Sequence, residues 1–274
     1  MPVAAYATSL ALDGDVAFLF TSNAAYRLRA GEPVHGIELD LGIGPVLTDS
    51  AIVYWSKGAI CSTPKHGGPT RQLAKLPHQP QYFVATGSGL AWVDHADDRT
   101  YTIQSLDGRK PRVLVSSSGE LSSLKMIGDS VFFVQRAEDN SWRVGRVRVT
   151  GGDVLFSTSR TGQTPSMFTG VDSLVYFDLK TSEIRRLMPD LQHEETWLKK
   201  FVCSPLYEST NIYCGCVEGL FEVRAEDRKP HVLIFGRRET ITNIRANSEQ
   251  LVWTVDPGPA KLAVYMLPIA AIRE

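Results

Sequence analysis

Nothing in this sequence approaches the roughly 20 consecutive apolar residues that a bilayer-spanning helix needs, so no membrane span is expected. Its first residues, Met1-Pro2-Val3-Ala4-Ala5-Tyr6, lack the basic segment and long apolar core of a secretory leader. The expected location is the cytoplasm, or the periplasm or extracellular space if a leader was removed. An excess of charge of either sign is also missing. Lys and Arg total 29 against 30 Asp and Glu, a net charge of −1, and such a chain has no global field to draw nucleic acid or anionic lipid. Nucleic acid is therefore not an expected partner. Cysteine is scarce, with only Cys61, Cys203, Cys214 and Cys216. The Cys-x-Cys at 214 and 216 has no second cysteine pair and no spaced histidine pair, so neither a metal nor any other cofactor is expected. Gly42-x-Gly44 and Gly87-x-Gly89 lack the third glycine and following helix of a dinucleotide loop. Nucleophile elbows and phosphate loops are missing as well, and no catalytic residue is predicted. Disorder is excluded by composition, 43% hydrophobic and 22% charged.

What the sequence does contain is a repeat. A turn rich in Gly, Asp and Ser leads into an aliphatic residue, any residue, then an aromatic. The copies are Gly14-Asp15-Val16-Ala17-Phe18, Asp49-Ser50-Ala51-Ile52-Val53-Tyr54, Ser88-Gly89-Leu90-Ala91-Trp92, Asp129-Ser130-Val131-Phe132-Phe133 and Asp172-Ser173-Leu174-Val175-Tyr176. Two weaker ones follow, Thr210-Asn211-Ile212-Tyr213-Cys214 and Glu249-Gln250-Leu251-Val252-Trp253. A period near 40 residues is the length of four short strands and their turns. In the third copy these are Tyr82–Ala85, Leu90–Val93, Tyr101–Ser105 and Arg112–Val115, joined by Gly87-Ser88-Gly89 and Asp107-Gly108, residues that accept the positive φ of tight hairpins. The second strand is apolar throughout, as for a strand covered on both faces.

A four-stranded sheet with two apolar faces buries both only by stacking against like sheets, and closing the stack leaves no exposed end. The expected fold is all-β: a seven-bladed β-propeller of four-stranded antiparallel blades. Its single domain is divided at about 1–40, 41–77, 78–116, 117–160, 161–195, 196–237 and 238–274. Residues 6–12 are expected as the first strand, and Pro268–Arg273 as a short fourth strand of the last blade. Phe18, Tyr54, Trp92, Phe133, Tyr176 and Trp253 are expected to fill the layers between blades. Burial of each is worth about 2–3 kcal/mol. The stretch from Asp178 to Phe201 departs most from the repeat, with Met188-Pro189-Asp190 breaking it.

The copies Asp49 to Trp55, followed by Gly67-Gly68, and Asp172 to Phe177 resemble the repeats of TolB-like and DUF5050-like propellers of bacterial envelopes. That resemblance implies a binding or scaffold role outside the cytoplasm, and speaks to fold before function. The expected function is non-catalytic binding of a protein or cell-envelope polymer through one face of the ring, by a chain that is monomeric in isolation. The alternative is a metal-dependent lyase or lactonase with its site at the channel mouth.

Connections from the last strand of one blade to the first of the next ring one mouth of the channel, where every blade contributes to one concavity. The expected ligand rim comprises His78, Gln79, Arg160, Gln163, His193, Glu194, Arg237 and Arg238. Arg143-x-x-Arg146-x-Arg148 is expected as the solvent face of a strand. If residues 207–210 form a turn, Cys203 faces Cys214 directly, and a disulfide between them is expected.

Overall fold

The computed structural model describes the chain apart from residues 1–8, 98–99, 108–109, 163, 165–171, 179, 201–205, 209–210, 217–218, 236–239, 257–262 and 273–274. Seven antiparallel sheets stand in a ring, each a chain-consecutive meander. Blades one, two, three and six have four strands each: Ser9–Glu38, Ile43–Lys75, Phe83–Ser117 and Leu206–Phe235. In blade four, Leu121–Thr161, the outer strand is split into Leu155–Phe156 and Arg160–Thr161, both paired with Ser141–Arg148. Blade five (Leu174–Lys199) and blade seven (Thr240–Pro268) have three described strands each.

The second strands hold the core, and their alternation explains why a ring forms. Side chains one residue apart point to opposite faces, so each central strand feeds two interfaces. In blade four Val131 and Phe133 pack toward blade three, and Phe132 and Val134 pack toward blade five. The structure holds seven hydrophobic clusters of this kind, one in each gap between neighbouring blades. The seventh closes the ring by setting Val252 of blade seven against Leu10, Ala17 and Leu19 of blade one. Polar contacts reinforce that seam. Asn247 donates Nδ2–H to the Gly14 carbonyl at 2.6 Å, and Gln250 donates Nε2–H to that of Asp15 at 2.9 Å.

Four local expectations are corrected. The last blade ends in a short 3-10 helix, Ile269–Ile272, rather than a fourth strand, and Ile269 is buried in the cluster between blades six and seven. Met188-Pro189-Asp190 does not break blade five. It turns Glu183–Leu187 into Glu194–Lys199, so this blade continues to Lys199 rather than ending at residue 195. Cys214 lies opposite Leu206, three positions from the expected Cys203, because Glu208 already faces Ile212 across a shorter turn. Cys203 itself lies outside the described residues. In blade one the face-by-face equivalent of Trp92 and Phe133 is Leu19, not Phe18. Phe18 packs forward onto blade two, while Trp92 and Phe133 pack back onto the preceding blade.

Candidate functional site

Antiparallel meanders divide the turns between two faces of the ring. Turns between first and second strands, and between third and fourth, share one face. Turns between second and third strands, and the connections between blades, share the other, here called the crossover face. His78 and Gln79 follow the outer strand of blade two, Arg71–Lys75, and so lie at the crossover face as expected. Arg160 ends the split outer strand of blade four at the same face, opposite Trp142. His193 does not lie there. It sits in the hairpin between the third and fourth strands of blade five, on the opposite face, and Glu194 begins the strand after it. The expected rim is therefore not one cluster. Gln163, Arg237 and Arg238 lie outside the described residues.

His78 stands with Nδ1 at 3.6 Å from Oδ1 of Asp94, a buried carboxylate on the second strand of blade three. The other Asp94 oxygen accepts from Gln104 Nε2 at 2.9 Å, and the same amide donates to Thr102 at 3.1 Å. Asp94 is fixed by its own blade, and the half-exposed imidazole reaches it from the connection.

Arg160 and Glu194 meet in the gap between blades four and five, at 2.6 Å. Their shared partner is the Tyr176 hydroxyl, which accepts from Arg160 and donates to Glu194. Arg185 closes the cluster on Glu194 at 3.2 Å, with Glu183 at 2.9 Å and Asp178 at 3.3 Å. The Tyr176 ring lies edge-on to Trp142. Burial, followed by the bond to Glu194, pushes the Tyr176 phenol above its ordinary range. Packing for this aromatic is as expected. The sequence does not reveal its polar end, because no pattern shows which arginines and carboxylates the neighbouring blade brings near. Through the contacts among Arg160, Tyr176 and Glu194, the cluster acts as a clamp between two blades.

On the opposite face His193 Nδ1 approaches Asp190 at 2.5 Å. That contact, with backbone N–H bonds from Gln192 and His193, holds the Asp190 carboxyl down at about 2. The role is local: a carboxylate organises its own turn.

A cleft of about 480 Å³ opens on the crossover face between blades three and four. Ser117, Ser118 and Gly119 from the connection form one wall. Gln135, Ser141 and Arg143 form the other, and Arg136, Glu138 and Asp139 stand in the turn above. A chain of hydrogen bonds sets its floor. Gly119 N–H and Gln135 Nε2 donate to Ser117 Oγ at 3.0 and 2.7 Å, and Arg143 Nε donates to Gln135 Oε1 at 2.8 Å. The Arg143 guanidinium lies 3.6 Å over the Phe156 ring. This corrects the expectation for the arginine run. Arg143 and Arg146 are half-buried on opposite faces of blade four, and Arg146 donates to the Pro189 carbonyl of blade five at 2.8 Å. Only Arg148 is exposed. Period two was visible in sequence, but not that both faces of the strand are covered.

Among the described residues no three His, Cys, Asp or Glu side chains come together as a metal-holding group, and no helix is long and apolar enough to cross a membrane.

No protein-family model matches the chain, and no curated protein matches it in sequence. Solved structures match its fold. The Pyrococcus horikoshii acylaminoacyl peptidase is similar over 96% of this chain and 51% of its own, at 12% identity and a TM-score of 0.73. BamB from Moraxella catarrhalis is similar over 93% and 82%, at 13% identity and 0.53. A chain of the Nidogen/Laminin complex is similar over 78% and 90%, at 13% identity and 0.53. The likeness is one of fold. The ring spans only about half of the peptidase it resembles.

Proposed function

We propose that this propeller is a non-catalytic binding module that engages a protein partner, or a cell-envelope polymer, through its crossover face. The observation that carries the reading is the cleft between blades three and four, an open and mixed-charge recess built from two blades and their connections. Its polar groups are pre-positioned by the bonds through Ser117 and Gln135, and a fixed array pays less entropy on association than a mobile one. The fold likeness to a chain of the Nidogen/Laminin complex supports a role in protein assembly.

The test is site-specific photo-crosslinking in native extract. A photoreactive residue replaces exposed Glu138 on the crossover face, or exposed His66 on the opposite face as control. A discrete adduct is expected from position 138 alone. Equal labelling from both positions, or adducts only from position 66, would sink the assignment of the binding face.

A further inference from the structure

Among the described residues, half-buried Arg143 and Arg146 lack the carboxylate partner that several other half-buried arginines have, and Arg146 is instead engaged by the Pro189 carbonyl. Arg160, Arg185 and Arg186 each meet a carboxylate within 4 Å. Arg143 meets none among the described residues, and its only hydrogen bond among them uses Nε. Gln135 on one side and the Phe156 ring below fix the guanidinium plane, and its two terminal nitrogens remain at the cleft. A guanidinium held this way has its rotamer entropy already spent, and its geometry matches the two oxygens of a carboxylate.

Resting on the proposed binding face, we infer that this cleft recognises the carboxylate of an acidic peptide segment, with Arg143 as the bidentate donor and the Ser117, Ser118 and Ser141 hydroxyls beside it. The surrounding charge is mixed. Glu138 and Asp139 stand at the lip, and Asp139 is held ionised below its ordinary range by bonds from Ser141. Repulsion from the lip and attraction to Arg143 both scale with the ligand's charge, so the lip offsets part of the attraction and leaves the placing of the ligand to the fork of Arg143 and to contacts with the rest of the chain. An extended chain brings one carboxylate past that lip, and its neutral backbone meets the serines. The volume, about 480 Å³, accommodates a few residues rather than a folded surface.

The intact protein is titrated with acetyl-Gly-Glu-Gly-amide, acetyl-Gly-Gln-Gly-amide and inorganic phosphate, following the Arg143 Nε–H and Gly119 amide signals by NMR. The glutamate peptide is expected to move both signals with a Kd of about 1 mM or tighter, and the other two to bind about tenfold more weakly or not at all. Arg143→Lys keeps the charge and loses the fork. Gln135→Met keeps the charge and loses the anchor. Each is expected to weaken the glutamate peptide about tenfold in protein whose amide spectrum shows it folded. Equal response to the glutamine peptide, phosphate binding as tight as the glutamate peptide, or wild-type affinity in Arg143→Lys would overturn the inference. No response of the wild-type protein to the glutamate peptide, with the position-138 adduct still formed, would overturn this site while leaving the binding face intact.

Discussion

The clamp between blades four and five yields the sharpest stability prediction. Tyr176→Phe removes one hydroxyl and nothing else: the ring is 2% exposed, and its edge-on contact with Trp142 survives in phenylalanine. What disappears is one bond donated to a carboxylate and one accepted from Arg160. A hydrogen bond to a charged group is worth about 1.5–3 kcal/mol. Glu194 is 20% exposed and keeps Arg160 and Arg185 at 2.6 and 3.2 Å, so the loss falls to about 1–2 kcal/mol. Urea unfolding should show a lower midpoint at constant slope, and the unfolding temperature should fall by about 3–6 °C. The phenol's raised pKa adds a second readout with a definite sign. Its stabilising contribution is fully present below the ordinary value of 10.0, and is lost as pH rises past that toward the higher folded-state value. The wild type should therefore lose stability above pH 10 more steeply than Tyr176→Phe. A change within about 0.5 kcal/mol, the range of neutral surface substitutions, or parallel alkaline profiles, would refute the clamp.

Three further perturbations test other parts of the ring. Gly145 lies opposite Phe133, and a Cβ there would come within 2.1 Å of the ring; Gly145→Ala should cost about 1–3 kcal/mol in chemical unfolding by overpacking blade four. Buried Lys65 reaches Asp13 at 2.5 Å and ties blade two to blade one. Asp13→Asn leaves that ammonium stranded and should destabilise by about 1–2 kcal/mol, whereas Lys65→Met should be near neutral in the same assay. The Asp190 carboxyl carbon should titrate near 2 by NMR, so its contribution is present above the ordinary 3.8 and lost as pH falls toward 2. His193→Gln should raise that midpoint without restoring 3.8, because the backbone bonds from positions 192 and 193 remain.

The ring was legible because each blade must solve the same burial problem, and the solution recurs in sequence about every 40 residues. In blade three the expected strands match the observed Phe83–Thr86, Gly89–Asp97, Thr100–Asp107 and Lys110–Ser117 to within a few residues at each end. Blade five was harder for a physical reason. Its third strand, Glu183-Ile184-Arg185-Arg186-Leu187, carries three charges and does not read as a covered strand. Those charges are tolerated because Asp178 and Glu194 meet Arg185, Asp172 meets Arg186, and Glu183 pairs with Arg185 on its own strand. Taking Met188-Pro189-Asp190 as a break rather than as the turn between that strand and Glu194–Lys199 puts His193 in a connection between blades, on the wrong face. The cleft was hidden for another reason. Ser117, Gln135 and Arg143 come from three separate segments, and only the stacking of blades three and four brings them together.

The weak copies of the repeat follow a rule that reading one strand cannot expose. The inward position of the second strand is aromatic in five blades, at Tyr54, Trp92, Phe133, Tyr176 and Trp253. In the other two it is Leu19 or Cys214, and the residue directly across on the third strand is then aromatic, Tyr26 or Phe221. Where the second strand carries Phe133, its partner shrinks to Gly145. Every such pair therefore contains at least one aromatic side chain, while its total size varies from Phe133 with Gly145 to Trp253 with Tyr265. Blade one shows the cost of ignoring this: matching Phe18 by spelling slips the strand by one residue and turns every side chain to the other neighbour. Pairing each second-strand residue with its partner across the hairpin restores the phase, because Leu19 with Tyr26 and Ala17 with Leu28 face blade seven, whereas Phe18 does not.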